Sequence, residues 1–136
     1  MIPFNASNLM KTKFDRELHV VRSLLYYDRD LVLLIRDEEK NDYIGHFIDY
    51  DGKEELWYLT SVGPMKLKEL LKGEADLLTT IEESPERYVI RVTAIGGAGE
   101  IMHNECYDGS EVPHDYLPSR GFRFFNDEFT DINDAI

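Results

Sequence analysis

The sequence predicts an α+β fold: an antiparallel meander of four to six strands, with two short helices inserted before the last main strand. Three observations predict it. Residues 17–60 read as short apolar or alternating runs separated by polar turns, the pattern of hairpin-linked strands. Residues 64–83 switch to helical spacing. Residues 87–95 return to strand alternation, so the helices interrupt the strands instead of following them.

Each element follows from local chemistry. Residues 1–14 mix Asn, Ser and Lys with scattered apolar side chains and read as a flexible arm that docks late or stays loose. HVVRSLLYY is rich in branched and aromatic residues and reads as a first strand; Asp28-Arg29-Asp30 turns the chain. LVLLI is a continuous apolar run, expected of a strand covered on both faces. After the polar link 37–42, YIGHFIDY alternates, with Tyr43, Gly45 and Phe47 on one side and Ile44, His46 and Ile48 on the other. ELWYLT sets Leu56, Tyr58 and Thr60 against Trp57 and Leu59. Pro64 suits the first position of a helix, Leu67, Leu70 and Leu71 share a face, and Gly73 is a left-handed stop. Asp76 caps a second short helix carrying Leu77, Leu78 and Ile81, which Ser84-Pro85 ends. RYVIRVTAI is the fifth strand. Gly96-Gly97-Ala98-Gly99 then ends the regular part, and the remainder is read as an extended segment packed by its aromatics, with a last short strand at 122–125.

The chain of 136 residues is assigned one domain, 1–136, with an arm at 1–14, sheet and helices at 15–95 and an acidic, aromatic-rich C-terminal segment at 96–136. One cysteine, Cys106, excludes an intramolecular disulfide. The start lacks a basic-then-apolar leader pattern, and the longest apolar run, 31–35, is far too short to span a bilayer, so a cytoplasmic protein without membrane contact is expected. Formal net charge is -12. Residues 1–91 hold 18 acids and 13 bases, whereas residues 92–136 hold 9 acids and 2 bases. Such a surface repels phosphate backbones and argues against direct nucleic-acid binding.

No catalytic motif is complete. HFIDYDGKEELWYL fails as a calcium loop: counted from Asp49, glycine arrives at the fourth position and Lys53 sits where a ligand belongs. It reads as an acidic hairpin turn. His103-Asn104-Glu105 matches the H-x-E of zinc deaminases, but the second, cysteine-bearing half of that zinc shell is missing. A looser metal set from His103, Glu105, Cys106, His114 and Asp115 has suitable residue types and no recognised spacing; of these His103, Glu105 and His114 are the weak metal candidates. The glycine run 96–99 is followed by Glu100 and no lysine, which opposes phosphate binding. Cys106 beside His103 or His114 is a weak thiol–imidazole candidate. No catalytic residue and no cofactor is assigned.

Tyr26-Tyr27-Asp28 before LVLLIRDE, then YIGHFIDYDGKEELWYLTSV, then the helix with LKGEADL, together resemble a family of small bacterial proteins, the domain of unknown function 6575. VPHDYLPSRGFRF is similar to that family's closing segment. The resemblance covers roughly residues 18–124 and rests on strand, turn and helix-end residues. It implies a fold and a prokaryotic or mobile-element origin, with no activity or site residue to carry over. The sequence departs from the pattern in its longer start and its acidic tail.

The expected function is that of a non-catalytic protein-interaction module. Tyr107, Asp108, Glu111, Asp115, Tyr116, Asp127, Glu128 and Asp131 are the expected contact residues, aromatics as anchors and carboxylates as steering charge for a basic partner. A sharper form is an acidic DNA-mimic inhibitor from a phage or mobile element, resting on Asp127, Glu128, Asp131 and Asp134. The other alternative is a small metal-dependent enzyme or ligand sensor with a site between sheet and C-terminal segment, built from His46, His103, Glu105 and His114. The oligomeric state is open, a homodimer included.

Overall fold

Six antiparallel strands curl until the last meets the first, closing a barrel in the order β1-β2-β3-β4-β5-β6. The computed structural model describes residues 9–50 and 52–124. In chain order the elements are β1 (Leu18–Tyr26), β2 (Asp30–Asp37), β3 (Asp42–Tyr50), β4 (Glu55–Val62), α1 (Pro64–Leu71), α2 (Leu77–Glu83), β5 (Arg87–Ile95) and β6 (Glu100–Asp108). The antiparallel sheet and both helices agree with the predicted class.

Two apolar layers follow from the alternation. One holds Leu18, Leu33, Ile35, Tyr43, Trp57, Leu59, Ile90, Val92, Ile101 and Cys106, strand residues only. Among the described residues no helix covers this face, and yet Tyr43, Leu59 and Ile90 are fully buried. A sheet face that buries itself is the inside of a barrel. The other layer joins Leu34, Ile44, Leu56, Tyr58 and Val89 on the outer face to Leu67, Leu70 and Leu71 of α1 and Leu77 and Ile81 of α2. The run LVLLI therefore is covered on both faces, as its sequence predicts: Val32 and Leu34 pack outward, Leu33 and Ile35 inward.

The helices form as read. Pro64 opens α1, whose buried residues are Leu67, Leu70 and Leu71, and Gly73 follows at φ +76°. Asp76 caps α2 by accepting from the Thr79 N–H at 2.8 Å, and its second oxygen accepts from the Gly121 N–H at 2.8 Å. One residue thus fixes both the helix start and the C-terminal segment crossing it.

The structure corrects the reading at three places. Residues 96–99 are a hairpin turn, not the end of the sheet. β6 follows at once and pairs with β5 along its length, Ile90 opposite Cys106 and Tyr88 opposite Asp108. Register shifts between Arg91 and Val92 and between Val92 and Ala94 break the alternation of β6, which hid the strand among acidic residues. The second correction is closure. Leu18 pairs with Ile101 and His19 with Glu100. Ahead of β1, the Thr12 N–H donates to Cys106 O and the Asp108 N–H to Met10 O, so residues 10–12 run beside the far half of β6. Gly99, at φ +92°, accepts from the Val20 N–H at 2.7 Å, and a Cβ there would lie 2.9 Å from Val20 O. Such seam pairing leaves no periodic trace in the sequence. Thirdly, residues 122–124 form no strand; the Phe122 carbonyl instead accepts from the Leu77 N–H at the start of α2, and Phe125 lies outside the described residues.

Candidate binding cleft

Alternation along β3 turns Ile44, His46 and Ile48 toward the outer layer, between Val32 of β2 and Tyr58 of β4, which are the cross-strand partners of His46. The segment after β6 crosses this face. It is held by a sequence of local bonds. Asp108 Oδ1 accepts from the Ser110 N–H and hydroxyl, fixing a 3-10 turn at Gly109–Glu111. The Tyr58 hydroxyl donates to Gly109 O at 2.7 Å, and Val112 is buried. A second 3-10 turn, His114–Tyr116, follows, with the Tyr116 N–H donating to Pro113 O.

Between β3 and this strap lies a cleft of about 760 Å³. His46, Phe47 and Ile48 line it from the barrel, Pro113, Tyr116 and Leu117 from the strap, and Asp49 and Asp115 add two carboxylates. His46 is mostly buried, and that burial pushes its imidazole down to about 4, so the ring is neutral at pH 7. Its Nδ1 is buried and has no hydrogen-bond partner among the described residues. An unmade bond of this kind costs about 1–3 kcal/mol. Beside the cleft, the Arg29 guanidinium stacks 3.6 Å over Phe47 and pairs with Glu55 at 2.6 Å, while the Trp57 indole N–H donates to Glu55 Oε1. Through Trp57 and Phe47 this group borders the inner layer.

A different polar cluster sits at the other end of β2. Asp37 is 1% exposed. Its carboxylate accepts from the N–H groups of Glu39 and Asn41, from Asn41 Nδ2 and from the Tyr43 hydroxyl, at 2.9–3.1 Å. Burial alone raises its pKa; the bonds from Asn41, Tyr43 and Glu39 outweigh it, and the net shift is downward. Arg16 donates to the Tyr43 hydroxyl and lies 3.8 Å from Asp37 and 3.4 Å from Glu86. Phe14 packs edge-on to Tyr43 and against Tyr88, so the residues before β1 are latched to this end.

The remaining candidates fall elsewhere. His103 Nε2 lies 3.1 Å from Arg16 O, and its ring packs by Phe14; with His19 it lines a separate cleft of about 540 Å³. Glu105 accepts from the Tyr107 hydroxyl and lies 3.6 Å from Arg91. The side chain of His114 lies outside the described residues. His46 and His103 therefore line different clefts, and among the described residues no three His, Cys, Asp or Glu side chains are arranged to hold a metal ion. Cys106 points into the barrel, where burial pushes its thiol up to about 12, the wrong direction for a nucleophile.

Of the expected contact residues, Asp115 and Tyr116 line the cleft and Glu111 is exposed. Tyr107 is 3% exposed and packs in the outer layer, and Asp108 is occupied as a turn cap. Phe122 and Phe124 stack edge to face over the helices, with Arg123 donating to Gly73 O and Glu74 O. Asp127, Glu128, Asp131 and Asp134 lie outside the described residues, and the DNA-mimic arrangement with them. Sequence reasoning missed Asp49, Ile48 and Leu117 as cleft residues; the outward parity of His46 and Ile48 was the available signal.

Comparison with known protein families, with curated proteins and with solved structures finds no match. Among the described residues no helix is long and apolar enough to cross a membrane.

Proposed function

We propose that this chain is a non-catalytic protein-interaction module that binds a basic partner through the face formed by the 113–117 strap and the outer side of β3. The carrying observation is the cleft there, with apolar walls and two carboxylates in its lining. The distribution of cations supports the same reading. Arg16, Arg29, Arg36, Arg91 and Arg120 are each paired with carboxylates of this chain, and the sequence carries 27 acids against 15 bases. Such a field steers a positive partner, and buried aromatic and aliphatic anchors supply the affinity. Membership in the family of unknown function 6575, a prokaryotic origin and a cytoplasmic location belong to this proposal.

The test is affinity capture from a native lysate at low and moderate salt, with the wild-type chain and an Asp115→Asn/Tyr116→Ala variant side by side. A specific partner that is rich in Lys and Arg, bound less well at higher salt and lost from the variant, is the expected result. Capture of no specific partner under either condition, or equal capture by the variant, overturns the proposal.

A further inference from the structure

We infer that the cleft takes a short peptide segment in which an apolar side chain lies next to a lysine or arginine. The inference rests on the interaction-module reading and specifies the chemistry of the occupant.

Three observations lead there. The lining is mostly apolar, and among the described residues its formal charges are the carboxylates of Asp49 and Asp115, one from each wall. An apolar group inserted between Ile48, Tyr116 and Leu117 therefore places any adjoining charge near two anions, which favours a cation and repels a carboxylate. Secondly, His46 carries no charge near neutrality because burial disfavours its protonated form. A protonated imidazole in the floor would cancel much of the attraction that Asp49 and Asp115 offer; a neutral one leaves it intact. Thirdly, residues 1–8 and 125–136 do not carry the charge that complements this lining. Residues 1–8 contain no charged side chain, and residues 125–136 contain four acids and no base. Like charge disfavours the latter against this lining, which favours a basic segment of a partner protein as the occupant. The volume, about 760 Å³, exceeds one side chain and suits a few residues of extended peptide.

The experiment is an NMR titration of the full-length labelled chain with three probes: an acetylated, amidated Lys-Trp-Lys peptide, its Glu-Trp-Glu counterpart, and tryptamine. Lys-Trp-Lys is expected to shift the His46 imidazole and the amides of Asp49, Asp115, Tyr116 and Leu117, and Glu-Trp-Glu to leave them unmoved. Asp49→Asn/Asp115→Asn is expected to weaken Lys-Trp-Lys about fivefold, as loss of exposed charge pairing does, while its unperturbed spectrum shows that it folds. Shifts located elsewhere, none at all, or equal binding of the acidic peptide overturn the inference. Tryptamine binding as tightly as the peptide overturns the peptide assignment in favour of a free amine. If a partner is captured from lysate and yet the basic peptide leaves the cleft untouched, the interaction-module reading survives and only this inference falls.

Discussion

Asp37 and His46 are both polar strand side chains taken largely out of solvent, and the protein treats them oppositely. Asp37 receives bonds from two backbone N–H groups, an amide and a phenol, with Arg16 close by. His46, nine residues on, has an enclosed Nδ1 with no partner among the described residues and a cleft beside it. A satisfied polar cluster fixes one arrangement and leaves nothing for a ligand. An unsatisfied group next to open volume is where a ligand has something to complete. The first is part of the scaffold, where the start of the chain is latched to the barrel; the second is where function is to be sought.

The largest effect expected from this contrast is at Asp37. Replacing it by Ala strips the acceptor from four donors at once and leaves Arg16 with Glu86 as its remaining carboxylate. Equilibrium unfolding in urea should show a loss of about 4 kcal/mol, the scale for breaking a buried charged network. Asp37→Asn keeps one carbonyl oxygen and should lose about half as much. A loss below about 1 kcal/mol for Asp37→Ala would mean that the cluster is decoration, and the comparison would collapse.

Next in size is the dependence on pH, where the two groups act in separate windows. His46 has its folded-state pKa lowered from the ordinary imidazole value to about 4. The unfolded chain therefore takes up the proton first as pH falls. Its contribution is fully present above about pH 6.5, shrinks as pH drops through 6 and 5, and levels off once the folded state also protonates near 4. The difference corresponds to about 3 kcal/mol. Asp37 is also lowered, but from the carboxylate range, so its contribution persists through that window and declines only below about pH 4. Urea midpoints measured from pH 7 to pH 4 should fall for the wild-type chain and stay nearly flat for His46→Phe. Parallel curves would show that His46 is not the titrating group.

Much of the fold was legible beforehand, and the reasons are local; the contrast was not, since His46 reads from sequence as a satisfied sheet histidine and its Nδ1 has no partner among the described residues. β2, β3, β4, both helices and β5 declare themselves through period and cap: LVLLI, the alternation around Gly45, Pro64 with Leu67, Leu70 and Leu71, and Asp76 before α2. The parity that put His46 opposite Gly45 also held. What could not be read was anything that depends on two distant stretches meeting. β6 hides behind its irregular register with β5, and the pairing of residues 10–12 with Cys106–Asp108 follows from curvature. The placement of Asp115 and Tyr116 against β3, and not Tyr107 or Asp108, depends on a strap whose course is set by Tyr58, Asp108 and Asp76. Composition marked the C-terminal third as acidic and aromatic; only the fold separates aromatics that pack from those that line a cleft.

Gly45 sharpens the comparison from the inner face. It precedes His46 and faces the barrel interior, where a Cβ would lie 2.6 Å from Ile35 Cδ1 and 3.5 Å from Trp57. Gly45→Ala should cost about 2 kcal/mol through overpacking, in spite of alanine's better strand conformation. The outer face one residue on has room to spare, so two adjacent positions on one strand should respond oppositely to added volume. If Gly45→Ala proves neutral by thermal unfolding, the interior is looser than its burial implies.

The smallest effect expected is the most telling. His46→Phe at pH 7 removes an imidazole whose Nδ1 makes no bond and substitutes a ring of similar shape. Apolar area replaces an unsatisfied polar atom, so stability should change by no more than about 1 kcal/mol, and in the favourable direction. A buried histidine that served the scaffold would behave as Asp37 does and lose several times that. A stable His46→Phe chain that nevertheless loses its partner would separate folding from recognition at one residue, since the phenyl ring keeps the shape of the cleft floor and discards only its polarity. A markedly destabilised variant would instead place the imidazole in a bond that the static arrangement does not display, and the two polar sites would no longer differ in kind.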